Sequence, residues 1–313
     1  MQIVITGSAG FIASHLTEHL LSLGHSVIGI DNFITGSKKN IEHLLTNKAL
    51  TFIEHDIIDF DYATIEGPVD VVFHLASPAS PIQYKKYPIE TLEVNSIGTK
   101  KALEFATKKN AKFVYASTSE VYGDPLVHPQ VESYWGNVNP NGVRSCYDEA
   151  KRFGEAMCMS FVRKYKTNVR IARIFNTYGP RMDINDGRVV SNFIVQALKN
   201  EPITLYGNGM QTRSFCYVSD LVLGLTALAT KDVPSGEVIN LGNPNEMTVK
   251  DIAEKIKLLT NSKGEISSNP IEADDPQRRK PDITKAKQLL DWEPHISVDQ
   301  GLTSTIAYFK SIL

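Results

Sequence analysis

Apolar, β-branched runs alternate with helix-length stretches along the first 176 residues, and that order admits few architectures. "IVITG" (3–7) precedes an amphipathic stretch over 11–23, followed by "HSVIGID" (25–31) and "LTFIEHD" (50–56). "VDVVFHLA" (69–76) precedes a helical pattern over 88–108, "AKFVYAST" (111–118) one over 148–165, and "VRIARIFN" (169–176) closes the series. Alternation of this kind predicts parallel strands joined by crossover helices, an α/β doubly wound sheet. The strands read as continuous apolar runs, as expected when helices cover both faces. Ligands of such a sheet bind beyond the carboxyl ends of its strands, where "GSAG", "IDNF", "HLASPAS" and "STSE" all fall.

Beyond residue 176 the texture changes to longer loops, among them "NTYGPRMDINDGR", "YGNGMQTRSF" and "EADDPQRRKPDI". We expect residues 1–176, with a returning segment near 214–242, to form the large domain, and "GEVINLG" (236–242) to rejoin its sheet. Residues 177–213 and 243–313 are expected to form a smaller C-terminal substrate lobe that closes over the crevice. With 42% hydrophobic and 22% charged residues, the 313-residue chain has the make-up of a soluble globular protein. A net charge of −2 with both signs interspersed points to neither nucleic acid nor anionic membrane as a partner. No apolar stretch approaches the length of a membrane span. Three widely spaced cysteines (Cys146, Cys158, Cys216) match neither a disulfide framework nor a zinc pattern. No metal is expected, and a reducing, cytoplasmic setting fits.

"TGSAGFIASHL" places Gly7, Gly10 and Ala13 in the spacing G-x-x-G-x-x-A, after a strand and at the opening of a helix. Glycines there let the backbone approach a pyrophosphate, which the free N–H groups and dipole of the helix N-terminus favour. A tight turn alone could also require them. Asp31 ends the second strand at the distance expected for a carboxylate on the adenosine ribose, and it would repel a 2′-phosphate, so NAD is favoured over NADP. Asp56, ending the third strand, suits the adenine edge or a simple cap. Together these residues make the large domain a Rossmann-type NAD site.

"SCYDEAKR" carries Tyr147 and Lys151, i and i+4 on one helical face. A phenol is a poor base at neutral pH unless a neighbouring cation stabilises the phenolate. With Thr118 at the end of a strand in the same crevice, these groups form a proton relay around one alcohol. In "ASTSEVYG" (116–123) a single carboxylate, Glu120, stands at the mouth of the sheet, and the residues alone leave its task open.

The G-x-x-G-x-x-A spacing, the strand-end Thr118 and Y-x-x-x-K resemble the extended short-chain dehydrogenase/reductase superfamily. Within it the chain is most similar to the UDP-glucuronate decarboxylase family, the UDP-xylose synthases. The stretches that carry this resemblance span nearly the whole chain: "DNFITGSKKNIEH", "HLASPASP", "STSEVYGDPLVHPQVESYWGNVNPNGVRSCYDEAKR", "RIFNTYGPRMDINDGRVVSNF", "YGNGMQTRSFCYVSDL", "NLGNP" and "DDPQRRKPDI". The resemblance implies that NAD⁺ oxidises C4 of the sugar while Tyr147 takes the hydroxyl proton. The β-keto acid then loses CO₂, C5 is protonated, and C4 is reduced again. It adds Phe11, Ile12, Asn32, Phe33, Ile57, Leu75, Ala76, Ser77 and Asn95 to the cofactor-binding residues, beside Gly7, Gly10, Asp31, Asp56, Tyr147 and Lys151. For the UDP-sugar it implies Tyr84, Ser119, Asn176, Arg188, Tyr206, Gln211 and Arg213, with Arg279 facing the uronate carboxylate. It also implies a homodimer through the helices near 88–108 and 148–165.

Ser119 is telling. Related 4,6-dehydratases carry an Asp-Glu pair here, because they must protonate a leaving C6 hydroxyl; Ser119-Glu120 lacks the first acid. Glu120 is then expected to position the sugar or to help deliver the C5 proton. Arg188, Arg213 and Arg279 could each instead sit in a structural ion pair or a solvated turn. Two departures from the family pattern are "NPNG" (139–142) for "NPIG" and Ala150 for glycine. A UDP-sugar 4,6-dehydratase or 4-epimerase is the alternative within this fold, disfavoured by Ser119 and Arg279 respectively. A non-catalytic NAD sensor would have no need of the Thr118, Tyr147 and Lys151 relay.

Overall fold

The computed structural model describes residues 1–270 and 276–313, so the acidic start of the "EADDPQRRKPDI" loop, residues 272–275, lies outside the described residues. Six strands form in the predicted places: β1 (Gln2–Thr6), β2 (Ser26–Asp31), β3 (Leu50–Glu54), β4 (Val71–His74), β5 (Lys112–Thr118) and β6 (Val169–Ile174). The later strand Glu237–Leu241 returns to the sheet and pairs in parallel with β6. The seven strands run in the order Glu237–Leu241, β6, β5, β4, β1, β2, β3, with every pairing parallel.

Successive strand residues enter opposite cores. Ile3 and Ile5 join one apolar cluster with Leu16, Phe73 and Val114, while Val4 joins a second with Val72, Phe113 and Tyr115. Both faces are therefore buried, as the unbroken apolar runs require. The chain runs outward from β1 through β2 to β3, then crosses back to place β4 on the other side of β1. That reversal opens a crevice between the ends of β1 and β4.

Helix α1 (Phe11–Ser22) follows β1, and α2 (Pro81–Lys86), α3 (Pro88–Glu93), α4 (Thr99–Lys109), α5 (Ser145–Tyr165) and α6 (Val189–Leu198) follow in turn. The single helix expected over 88–108 is interrupted by a π turn at Val94–Gly98. The cause is local: the Asn95 amide donates to the Thr91 carbonyl at 2.8 Å and the Ser96 hydroxyl to that of Leu92 at 2.6 Å, competing with the backbone ladder.

A third cluster, including Val190, Phe193, Ile203, Leu205, Ile252 and Phe309, forms a separate core built from residues beyond 176. There the strand Thr212–Ser214 lies between Glu246–Thr248 and Arg278–Arg279. The parallel pairing of the outer strand sets Arg279 directly opposite Arg213.

Candidate active site

The first turn of α1 explains why the glycine motif is read as an anion site. Its N-cap, Gly10, offers no side-chain cap, and the turn carries no acidic residue, so its N–H groups open toward a cavity lined by Gly7, Gly10, Phe11, Ile12 and Ala13. Gly7 has φ +73°, and a Cβ there would lie 2.7 Å from Ala76 Cα, so glycine alone fits where β1 meets the end of β4. A second cavity of about 80 Å³ continues from the same glycines and is lined by Asp31, Asn32, Asp56, Ile57, Leu75, Ala76 and Ser77. The buried Asp31 carboxylate accepts from the N–H groups of Ala9 at 2.9 Å and Phe33 at 2.8 Å. Burial raises its pKa, and those two amides work against the rise. Asn32 donates to Asp56 at 2.8 Å. An uncapped helix terminus joined to a pocket walled by two carboxylates fits a dinucleotide. Phe33 and Asn95 line neither cavity. Phe33 packs on Phe52 at 5.4 Å between ring centroids and serves Asp31 through its N–H, while the fully buried Asn95 donates to Ser77 at 2.8 Å from behind the wall.

The main cavity, about 330 Å³, brings together Thr118, Ser119, Glu120, Tyr147 and Lys151 with Tyr84 from α2. Thr118 and Tyr147 line it together, and the Thr118 hydroxyl works against the rise in the Tyr147 pKa. Tyr84 stacks on Tyr147 with ring centroids 5.0 Å apart and planes 6° from parallel, and its own hydroxyl is buried with no partner among the described residues. Lys151 donates to the Ala116 carbonyl at 2.9 Å, and its Nζ lies 5.8 Å from the Tyr147 ring centre. The i,i+4 spacing thus puts the ammonium near the phenol without a direct hydrogen bond between them. Burial lowers the Lys151 pKa to about 7 and pushes the Tyr147 phenol well above its ordinary value.

Glu120 occupies the centre of a charge cluster assembled from three distant segments. The Arg144 Nη2 donates to its Oε2 at 2.6 Å, and Arg279 Nη1 donates to its Oε1. Arg279 also donates to the Gly123 carbonyl at 3.1 Å and is almost fully buried. Burial alone would raise the Glu120 pKa; the Arg279 and Arg144 guanidinia outweigh it and hold the carboxyl down to about 2. Arg144 was not singled out by sequence. It precedes Tyr147 by three residues, and no spacing rule marks it; the only cue is its place at the entry of the helix that carries Tyr147.

From the later part of the chain the same cavity is lined by Asn176, Arg188, Tyr206, Gln211 and Arg213. Arg188 is held by Asp186, with Nη2 to Oδ2 at 2.8 Å, so the ion pair considered for it is present even as it faces the cavity. Arg213 is buried and donates to the Thr212 carbonyl at 2.8 Å. Gln211 donates to the Tyr206 carbonyl at 2.9 Å. Every substrate residue expected from sequence therefore lines one cavity, beside the relay.

Comparison with known proteins agrees with this geometry. The NAD dependent epimerase/dehydratase family matches residues 3–242. A UDP-glucuronic acid decarboxylase 1 of Xenopus tropicalis is 54% identical over 312 residues, spanning 100% of this chain and 73% of that protein. One of Arabidopsis thaliana is 51% identical over 99% of this chain and 70% of that protein. The crystal structure of a Bacillus cereus UDP-glucuronic acid 4-epimerase, in complex with UDP-glucuronic acid and NAD, superposes with a TM-score of 0.92 at 31% identity over 100% of both chains. The chain belongs to the NAD dependent epimerase/dehydratase family.

Proposed function

We propose that this protein is an NAD-dependent UDP-glucuronate decarboxylase that forms UDP-xylose. The observation that carries the reading is the pairing of Ser119 with an arginine-bound Glu120 beside Tyr147, in the cavity that also holds Arg279. A buried guanidinium can face a carboxylate with two parallel N–H groups, which suits a uronate. Position 119 offers no acid to expel a C6 hydroxyl, whereas a C6 carboxylate leaves as CO₂ without one.

NAD, which Gly7, Gly10, Asp31 and Asp56 would hold, would supply the oxidant for C4 and the reductant that restores C4 at the end. Tyr147 takes the C4 hydroxyl proton, with Thr118 hydrogen-bonding its oxygen. Lys151 contributes charge to the relay from its seat on the Ala116 carbonyl. Once C4 is a ketone, the C5–C6 electron pair moves onto the C4 oxygen as CO₂ departs. Tyr147 and Thr118 stabilise the enolate there. C5 then accepts one proton. Glu120, held ionised by two arginines, positions the sugar and cannot itself bring that proton in while both hold it. Arg188 and Arg213 face the diphosphate, and Asn176, Tyr206 and Gln211 the rest of the UDP. Residues 177–213 and 243–313 form the lobe that carries most of these contacts.

An epimerase acting on the same uronate is the second reading, favoured by the likeness to the Bacillus cereus enzyme. It releases no CO₂. Arg279→Ala separates uronate recognition from UDP binding: the decarboxylase reading expects affinity for UDP-glucuronate to fall far more than affinity for UDP. An equal loss for both would put Arg279 on the diphosphate.

Two further features belong to this reading. Ile89, Leu92, Ile97 and Phe153 are 40–60% exposed on α3, the π turn and α5, an apolar strip that a homodimer through these helices would cover. The three free cysteines suit a reducing cytoplasm, and no described helix is long and apolar enough to cross a membrane.

A further inference from the structure

Arg279 is the residue a uronate must meet, and its own segment does little to hold it in place. The strand Arg278–Arg279 is two residues long and lies at the edge of its sheet, paired on one side with Thr212–Ser214. So short a strand has too few ladder bonds to fix its own position. The Nη1 of Arg279 donates to Glu120 and Nη2 to the Gly123 carbonyl, while Nε is buried with no partner among the described residues. Another residue grips the backbone. Gln130 is fully buried; its N–H donates to the Lys280 carbonyl at 2.9 Å, and its Oε1 accepts from the Lys280 N–H at 2.8 Å. Main chain and side chain thus bracket the residue that follows Arg279. The Gln130 carbonyl also accepts from the Asp282 N–H at 2.9 Å. Its Nε2 donates to the Val127 carbonyl at 2.9 Å, so a turned-over amide would set oxygen against oxygen and N–H against N–H. Asn240, in the returning strand Glu237–Leu241, ties this clamp to the large sheet. Its Nδ2 donates to the carbonyls of Gln130 at 3.0 Å and Asp282 at 3.1 Å, and its Oδ1 accepts from the Tyr122 hydroxyl at 2.8 Å.

We propose that Gln130 positions Arg279 for the uronate carboxylate. The inference rests on the decarboxylase reading. Gln130 does not line the cavity, so it acts through Arg279 and is a positioning residue. The peptide unit joining Arg279 to Lys280 is planar and stiff, so a shift of Lys280 carries the Arg279 backbone with it. A planar guanidinium meets a carboxylate through paired N–H groups, which is stricter about place than a point charge. A misplacement of about 1 Å costs up to about a hundredfold at such a contact. Glu120, the carboxylate already on Arg279, shares the 3-10 turn Ser119–Tyr122 with the tyrosine that bonds Asn240. Both members of the ion pair are therefore placed from one asparagine of the large sheet. Arg213 is held differently. It lies on the central strand of its sheet and keeps its pairing with Met247 when the edge strand shifts. Loss of the Gln130 side chain should therefore fall on the uronate and spare the diphosphate. The C6 carboxylate sheds its charge as CO₂ departs, so its bond to Arg279 is no stronger in the transition state than in the bound substrate. Loosening that bond raises KM and leaves kcat nearly alone.

The test uses Gln130→Met, which is close to glutamine in size and lacks its donor and acceptor. Titration calorimetry reads binding in NAD-loaded chains that also carry Tyr147→Phe, so that UDP-glucuronate is not turned over. Gln130→Met should weaken UDP-glucuronate about tenfold or more and UDP by less than about twofold. Combined with Arg279→Ala, it should add less than about twofold to the loss for UDP-glucuronate, because the group it positions is gone. In chains that keep Tyr147, Gln130→Met should raise KM about tenfold with kcat changed by less than about threefold. If the methionine chain does not fold, Gln130→Asn, whose carboxamide is one methylene shorter in reach, carries the same comparisons with the same expected signs. Equal losses for UDP-glucuronate and UDP, a fall in kcat at unchanged KM, or a loss that persists in full without Arg279 would each overturn the proposal while the decarboxylase reading stands. If wild type releases no CO₂ from UDP-glucuronate, both fall.

Discussion

Removing Arg279 should cost stability that removing Glu120 as well restores. The two side chains form an ion pair with side-chain exposures of 2% and 14%, and Arg144, the second partner of Glu120, is 12% exposed. Breaking a buried pair from one side leaves an uncompensated charge and typically costs about 3–5 kcal/mol. Glu120 keeps Arg144 at 2.6 Å, which places Arg279→Ala at the lower end, about 3 kcal/mol. In the double variant Arg279→Ala/Glu120→Gln neither member of the pair leaves the other's charge buried and uncompensated. The loss should therefore be smaller than the sum of the two single losses by at least about 2 kcal/mol, well beyond the error of additivity. Equilibrium unfolding in urea at pH 7, with all four chains of the cycle compared, reads this directly. Losses that add to within about 0.5 kcal/mol would refute the coupling and with it the charge cluster as the centre of the site.

Other expectations are independent of that cycle. Tyr147→Phe should abolish nearly all turnover while NAD still binds, read by activity and by cofactor fluorescence; near-normal turnover would remove Tyr147 from the relay. Gly7→Ala should weaken NAD binding and stability together, because its Cβ would fall 2.7 Å from Ala76 Cα at a positive φ; a normal affinity would mean the β1–β4 junction can open without cost. Asp148 has a raised folded-state pKa, so its contribution is fully present below pH about 4 and lost as pH rises through about 7. Asp148→Asn should remove that slope, gaining on wild type as pH rises across this window; parallel stability curves would place Asp148 in an ordinary solvated environment.

The large domain was legible because its signals are local. Period, glycine spacing and strand-end carboxylates report on neighbours within one βα unit, and β1 to β6 formed where they were expected. Even the returning strand Glu237–Leu241 carried its own apolar pattern. The break at Val94–Gly98 was missed because a 3.6-residue period tolerates one extra residue, although Asn95 and Ser96, both able to bond the preceding turn, were the available cue. The charge cluster was only half visible. Glu120 and Arg279 drew notice as isolated charges, but the contact between them spans 159 positions and reverses their apparent roles: the arginine expected to await a uronate already holds a carboxylate. The register that sets Arg213 opposite Arg279 likewise joins two short strands that no local pattern pairs. Arg144 and Asp148 gain meaning only from burial beside those partners, which composition and spacing do not encode.

The most direct test of the account is to incubate the purified, NAD-loaded protein with UDP-glucuronate and follow the sugar by proton NMR. The account predicts a new UDP-pentose spectrum with release of CO₂ and no net NADH. A C4-inverted uronate with no CO₂, or a C6 methyl signal from UDP-glucose or UDP-N-acetylglucosamine while UDP-glucuronate survives unchanged, would contradict it.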